Sequence, residues 1–233
     1  MTNLAEQYRP QYLSDIKGAD LVVTMLKSMV ENESLPNCMM FTGAHGVGKT
    51  SAARALVQEL NQDTADPTSY MEIDAASHNG VDDVRKLQEL LRYSHSGKWR
   101  VLVVDEAHGL STAAFNALLK ILEDPPKNTL FVLVTTRPDL ILDTVRSRAM
   151  VFRFPSLSVS TIAYRLNEVI KEEGIDIPLK VLVQIAQVVE GSMRDALVLL
   201  NQVRHHPDPT VEAVNTLVGR NIEIGRASCR ERV

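Results

Sequence analysis

The sequence predicts an α/β fold in which a parallel five-stranded sheet carries helices on both faces and a small all-α domain follows. Three observations carry that prediction. The stretch Gly43-Ala44-His45-Gly46-Val47-Gly48-Lys49-Thr50 has the spacing of a phosphate-binding P-loop, Gly, four free positions, Gly, Lys and Ser/Thr, set between an apolar strand and a helix. Arg100 to Asp105 and Leu130 to Val134 are the continuously apolar runs that a strand buried on both faces requires. From Ser158 onward only helical periodicity is found.

Taken in order, Leu4 to Asp15 contains Tyr8-Arg9-Pro10, where Pro10 biases Arg9 toward an extended or turn geometry. Leu21, Val22, Met25, Leu26 and Met29 recur at helical spacing and predict a helix over 19–33. Cys38 to Phe41 predicts the strand before the loop, and Ser51 to Leu60 the helix after it. Met71 to Asp74 predicts a short strand, and Val84, Leu87, Leu90 and Leu91 mark the apolar side of a helix over 81–93. A helix over 112–123 is stopped by Pro125-Pro126, and a short helix over 140–148 precedes a fifth strand at Met150-Val151-Phe152. Pro155 then marks a change of texture. Helices are predicted over 161–173, 178–189, 192–203 and 211–218. The domains expected are 1–156 for the α/β part and 157–220 for the helical part. The last ten residues, 224–233, hold three arginines and a lone Cys229 without periodicity, and read as a foreign or disordered tail.

Composition narrows the function classes. At 233 residues with 45% hydrophobic and 23% charged content, the chain can bury a real core, and no apolar run approaches the roughly 20 residues that cross a bilayer. The N-terminus lacks a basic segment followed by an apolar one, so a cytoplasmic protein with no membrane partner is expected. Two distant cysteines, Cys38 and Cys229, exclude a disulfide framework or a CxxC metal site. A formal charge of −4 argues against indiscriminate coating of nucleic acid but leaves room for a local basic patch.

The residue types at the loop define a chemistry. Gly43, Gly46 and Gly48 permit backbone angles that aim consecutive amides at phosphate oxygens, and the helix starting near Lys49 adds its positive end. Lys49 is expected between the β- and γ-phosphates of ATP, and the Thr50 hydroxyl on Mg2+. The strand ending in Asp105-Glu106 supplies two acids at its carboxyl end: Asp105 is expected to hold Mg2+ through water, and Glu106 to polarise the attacking water. Thr135-Thr136, at the end of another buried strand, forms a polar pair within reach of that water or the γ-phosphate.

Gly43 to Thr50, Asp105-Glu106-Ala107-His108, Ser147-Arg148 and Gly191-Ser192-Met193-Arg194-Asp195-Ala196 stand in the order and spacing of the AAA+ family of P-loop NTPases. More narrowly, the chain resembles the γ/τ ATPase subunits of bacterial DNA polymerase III clamp loaders. That likeness rests on Tyr8-Arg9-Pro10, Glu72 to Ser77, Phe115 to Pro126 and Gly191 to Leu197, and it runs from about Leu4 to Gly219. It implies a P-loop NTPase sheet followed by a helical lid. It implies that Thr136 is sensor 1, orienting the attacking water, that Arg194 is sensor 2, and that Arg148 is an arginine finger acting on a neighbouring subunit's nucleotide. Nucleotide contacts extend by the same likeness to Tyr8, Arg9, Pro10, Ala44, His45, Val47 and Ser51. Arg85, Lys86 and Lys120 fall on the helices that in this family track duplex phosphates.

The implied partners are a sliding clamp, other clamp-loader subunits in a ring, and primer-template DNA. A four-cysteine zinc module usual in the family has no counterpart in the short, Cys-free 61–69, so zinc is not expected. Ser147-Arg148-Ala149 lacks the family's cysteine after the arginine, and the family's third domain, the collar, is not expected within this chain. Two alternatives stay open: a nucleotide-bound stator-like subunit, and another AAA+ ATPase of DNA transactions. Phe115 to Pro126 favours the loader.

Overall fold

Side chains along a strand alternate between its two faces, and in the central strands both sets are apolar. Met39 and Phe41 of β1 (Cys38–Thr42), Val101 and Val103 of β3 (Arg100–Asp105), and Leu130, Val132 and Val134 of β4 (Thr129–Thr135) pack into one core. The intervening Cys38, Met40, Leu102, Val104, Phe131 and Leu133 pack into a second core on the opposite face. With β2 (Tyr70–Asp74) and β5 (Met150–Arg153), these strands form a parallel sheet in the order β2-β3-β4-β1-β5. The computed structural model describes residues 3–61, 67–91 and 98–219.

The two cores explain where the helices lie. The first is closed by α2 (Asp20–Glu31) and α3 (Lys49–Leu60), through Val22, Leu26, Ala52, Ala53, Leu56 and Leu60. The second is closed by α4 (Val81–Leu91) and α5 (Thr112–Glu123), through Val84, Leu87, Phe115, Leu118 and Leu122. Each fully buried side chain of this size contributes about 1.5–3 kcal/mol. Ser111 caps α5, its hydroxyl accepting from the Ala114 N–H at 3.2 Å, and the two prolines beyond Asp124 end it.

The chain divides into two units, Pro10–Pro155 and a helical unit comprising Met1–Arg9 with Ser156–Val233. The boundary expected from sequence assigned the first nine residues to the α/β part. In the structure α1 (Leu4–Gln7) belongs with the helices because Leu4 is fully buried among Ile162, Leu166, Val181, Leu182, Ile185 and Leu200. Tyr8 adds a polar tie, its hydroxyl donating to Glu173 Oε1 at 2.8 Å.

The helical core is built from α7 (Val159–Glu172), α8 (Leu179–Val188), α9 (Met193–Val203) and α10, residues 211–219. Ser158 and Ser192 cap α7 and α9 with hydroxyls that accept from Thr161 N and Asp195 N. The helix expected over 140–148 is instead a 3-10 turn, Pro138–Leu140, and a short α6, Asp143–Arg146. Buried Ile141 adopts an extended conformation between them to reach the core, which interrupts the helical hydrogen bonding. The expected tail, 224–233, lies outside the described residues. Among those residues no helix is long and apolar enough to cross a membrane.

Candidate nucleotide site

The site begins where β1 ends. The Phe154 N–H donates to Thr42 O at 2.7 Å, drawing that backbone so close that a Cβ added at Gly43 would lie 2.3 Å from the Phe154 carbonyl oxygen. Gly43 also has φ 149°, which favours glycine, so two independent constraints fix its identity. Gly46 (φ 71°) and Gly48 (φ 100°) turn the chain into α3, whose first residue is Lys49. The unpaired N–H groups and positive end of that helix therefore face the loop. Val47 points into the core at 3% exposure, whereas Ala44 and His45 are exposed at the loop's outer turn.

Lys49 is buried, at 5% exposure, and its ammonium donates to Gly43 O at 2.9 Å and Ala44 O at 2.6 Å. Burial pulls its pKa below the ordinary lysine value, and the Glu106 and Asp105 carboxylates oppose that shift. A cation held over loop carbonyls and near two acids stands ready for phosphate oxygens.

Asp105 and Glu106 occupy the carboxyl end of β3, beside β4 and next but one to β1. The Thr50 hydroxyl donates to Asp105 Oδ2 at 2.9 Å, and the Glu106 N–H donates to Asp105 Oδ1 at 2.9 Å, so both carboxylate oxygens are fixed. Glu106 has left-handed backbone angles (φ 46°) and caps a 3-10 turn, Ala107–Gly109. This turns its side chain toward β4, where the Thr136 hydroxyl donates to Glu106 Oε2 at 3.2 Å. Lys49, Thr50, Asp105, Glu106 and Thr136, chosen from sequence, are thus gathered at the carboxyl ends of adjacent strands, the usual ligand edge of a parallel sheet.

His108, which had no assigned role, joins them together with Thr135 of the expected polar pair. His108 Nδ1 lies 3.3 Å from Glu106 Oε2 and 3.1 Å from Thr135 Oγ1, and Thr135 Oγ1 accepts the Arg137 N–H at 3.0 Å. His108 stood within the quoted Asp-Glu-Ala-His stretch, but only the turn at Glu106 reveals that it reaches the carboxylate.

The oxygen donors suit Mg2+, a hard cation that takes one or two protein oxygens and completes its shell with phosphate and water. The Thr50 hydroxyl is such an oxygen, and the Asp105 carboxylate bonded to it is placed to hold the ion through water. Among the described residues no group of three or more His, Cys, Asp or Glu side chains is placed to hold a metal by itself.

The remaining expected residues are distributed more widely. Arg148 follows α6, half exposed, its guanidinium 3.2 Å from Glu123 Oε1 and donating to Thr144 O at 2.8 Å. Arg194 is exposed in the first turn of α9 in the helical unit, which also contains Tyr8 and Arg9; Pro10 begins the α/β unit. Ser51 sits in the first turn of α3. Arg85 and Lys86 on α4 are each paired with an acid one turn earlier, Asp82 at 3.1 Å and Asp83 at 3.8 Å, and Lys120 is exposed on α5. These pairs offset much of the positive charge on α4.

A sheet that brings a P-loop, an acidic strand end and a threonine to one edge defines the chain as an AAA+ P-loop NTPase by class. Residues 18–158 match the family described as DNA polymerase III, delta subunit, and residues 161–204 match the DNA polymerase III clamp loader subunit, ATPase lid domain. The chain belongs to the DNA polymerase III clamp-loader subunits. It is similar to DNA polymerase III subunit tau of Escherichia coli K12, 36% identical over 237 residues, spanning 93% of this chain and 37% of that protein. With subunit tau of Bacillus subtilis the identity is 35% over 214 residues, 84% of this chain and 38% of the relative. The chain therefore spans under two-fifths of the length of these relatives. The fold is also similar to the RuvB Holliday junction branch migration motor of Thermotoga maritima, TM-score 0.73 at 20% identity, over 90% of this chain and 71% of that one.

Proposed function

We propose that this chain is the ATPase part of a subunit that loads sliding clamps in the cytoplasm. ATP binding would let the ring hold an open clamp, and DNA-stimulated hydrolysis would release it on primer-template DNA. The observation that carries the reading is the cluster in which Thr50 joins the loop to Asp105 while Thr136 holds Glu106. A scaffold that only bound nucleotide would have no need of an aligned carboxylate base.

In the reaction, water oxygen bonds to the γ-phosphorus as the bond to the β–γ bridging oxygen breaks, giving ADP and phosphate. Lys49 and the first-turn amides of α3 bind and orient the phosphates, and the Glu106 carboxylate accepts a proton from the water. Thr136 aligns that carboxylate. Bound Mg2+, held by Thr50 and Asp105, would neutralise phosphate charge.

By resemblance to the clamp-loader γ/τ subunits, Tyr8, Arg9, Pro10 and Arg194 would contact nucleotide and Arg148 would serve a neighbouring subunit's site. Other loader subunits, a clamp and primer-template DNA are the partners, with Arg85, Lys86 and Lys120 as candidate phosphate contacts. The test measures ATP turnover with and without a cognate clamp and primer-template DNA in the assembled complex. Stimulation that disappears in Lys49→Ala supports the reading. Turnover indifferent to both DNA and clamp refutes it.

A further inference from the structure

We infer that His108 is a positioning residue for the hydrolytic carboxylate, a proton on its Nδ1 facing Glu106 Oε2. The inference rests on the ATPase reading above and assigns a function to a side chain that reading leaves unused.

The local frame is rigid enough to make the placement meaningful. The turn carrying His108 is closed by the Gly109 N–H donating to Glu106 O at 2.7 Å and the Leu110 N–H donating to Ala107 O at 3.1 Å. Ala107 is fully buried, and a Cβ at Gly109 would lie 2.8 Å from Ala75 O, so the turn is pressed against the chain leaving β2. Next to it the Ser111 N–H donates to Asn79 O at 3.1 Å. His108 is three-quarters buried, and its ring reaches across to Thr135, which is completely buried. The backbone of the turn and the buried Thr135 that the ring meets are therefore both packed in place.

Charge then selects the tautomer. A carboxylate only accepts hydrogen bonds. If Nδ1 bore a lone pair, that lone pair would face Glu106 Oε2 at 3.3 Å, a repulsive arrangement. With the proton on Nδ1, the N–H donates to Thr135 Oγ1 at 3.1 Å and turns its positive end toward Glu106 Oε2, 3.3 Å from the nitrogen. Thr136, just past β4, donates to the same Oε2. One donor and one polarised N–H, from two elements, thus face the same oxygen, leaving Oε1 to take the proton from water. A base restrained through one oxygen loses less orientation entropy when it acts, and small misplacements of such a group are costly in rate.

The test uses the whole chain and two independent readouts. Nitrogen-15 spectra of the histidine rings at pH 8, where ordinary imidazoles are neutral, report which nitrogen bears the proton. His108→Asn identifies the resonance among the six histidines. A protonated Nδ1 in the wild type, shifting toward Nε2–H in Glu106→Ala as Thr135 becomes the remaining partner, is the expected result. An Nε2–H tautomer in the wild type overturns the inference.

Kinetically, in the assembled complex, His108→Ala should lower kcat by about tenfold or more while ATP affinity changes less than about twofold. His108→Asn, which presents an N–H where Nδ1 stands, should restore most of the loss. His108→Gln, which presents it at Nε2, should not. Equal rescue by Asn and Gln, or wild-type turnover in His108→Ala, overturns the assignment. Absence of stimulated turnover in the wild-type assembled complex would refute the ATPase reading instead, and the tautomer measurement would still decide the contact.

Discussion

Thr50 and Asp105, 55 positions apart, are joined by a 2.9 Å hydrogen bond that ties the first turn of α3 to the end of β3. The same two groups are the candidate Mg2+ contacts, Thr50 directly and Asp105 through water, so the bond holds in register two groups whose spacing matters for the ion. Thr50→Val removes the hydroxyl and keeps the shape. ATP affinity measured with Mg2+ should fall about tenfold or more, with little change in chelator, while Thr50→Ser keeps the Mg2+ dependence. Because Asp105 is partly exposed, water replaces the lost donor and the stability cost stays near about 1 kcal/mol in thermal unfolding.

Glu106→Gln separates binding from chemistry. The amide can still accept from Thr136, so ATP affinity should stay within about threefold of wild type, but it cannot take a proton. Turnover should drop by about 10²–10⁴-fold. Filter binding alongside phosphate release checks both arms. Retained turnover would dismiss Glu106 as the base.

Much of this was legible because the signals are local. Both-faces-apolar strands announced β1, β3 and β4, and fixed spacing announced the loop and the acids. What stayed hidden depends on distant pairing or on one unusual residue. The placement of Tyr8 depends on Glu173, 165 positions away. The approach of His108 to Glu106 depends on a left-handed backbone at Glu106, a conformation that no residue-type preference demands. Ile141 broke an expected helix because its burial outweighed local propensity.

Gly43→Ala tests the contact between the loop and the chain after β5. The added Cβ would meet Phe154 O at 2.3 Å, and backbone on both sides leaves no flexible side chain to yield. Destabilisation of about 2 kcal/mol or more is expected in denaturant unfolding, with loss of ATP binding. Gly174→Ala is the control: it shares a positive φ of 64° but has nothing within 4 Å. It should cost about 1 kcal/mol and leave binding intact.

Tyr8 carries a pH signature. Burial first, and then its hydrogen bond to Glu173, push its pKa from 10.0 up to about 12. A raised folded-state value means that the contribution is complete below pH 10 and is lost as pH climbs from about 10 to about 12. Alkaline thermal unfolding should therefore fall more steeply for wild type than for Tyr8→Phe across that window. The variant should start lower at pH 8, having lost the bond. Parallel curves would refute the assignment.

Arg148 offers the sharpest test of a shared site. Its guanidinium is half exposed and, among the described residues, held by Glu123 and the Thr144 carbonyl, so it can be recruited at modest cost. If it completes a neighbour's site, Arg148→Ala should retain ATP binding yet lose about 10³-fold or more of stimulated turnover in the assembled complex. Glu106→Gln is defective in its own site but keeps a good arginine, whereas Arg148→Ala has a good base and no arginine to lend. Mixed complexes should therefore recover turnover that neither variant has alone, wherever an Arg148→Ala site faces a Glu106→Gln neighbour. An arginine acting within its own subunit predicts an inert mixture, because every site would then lack either its base or its arginine.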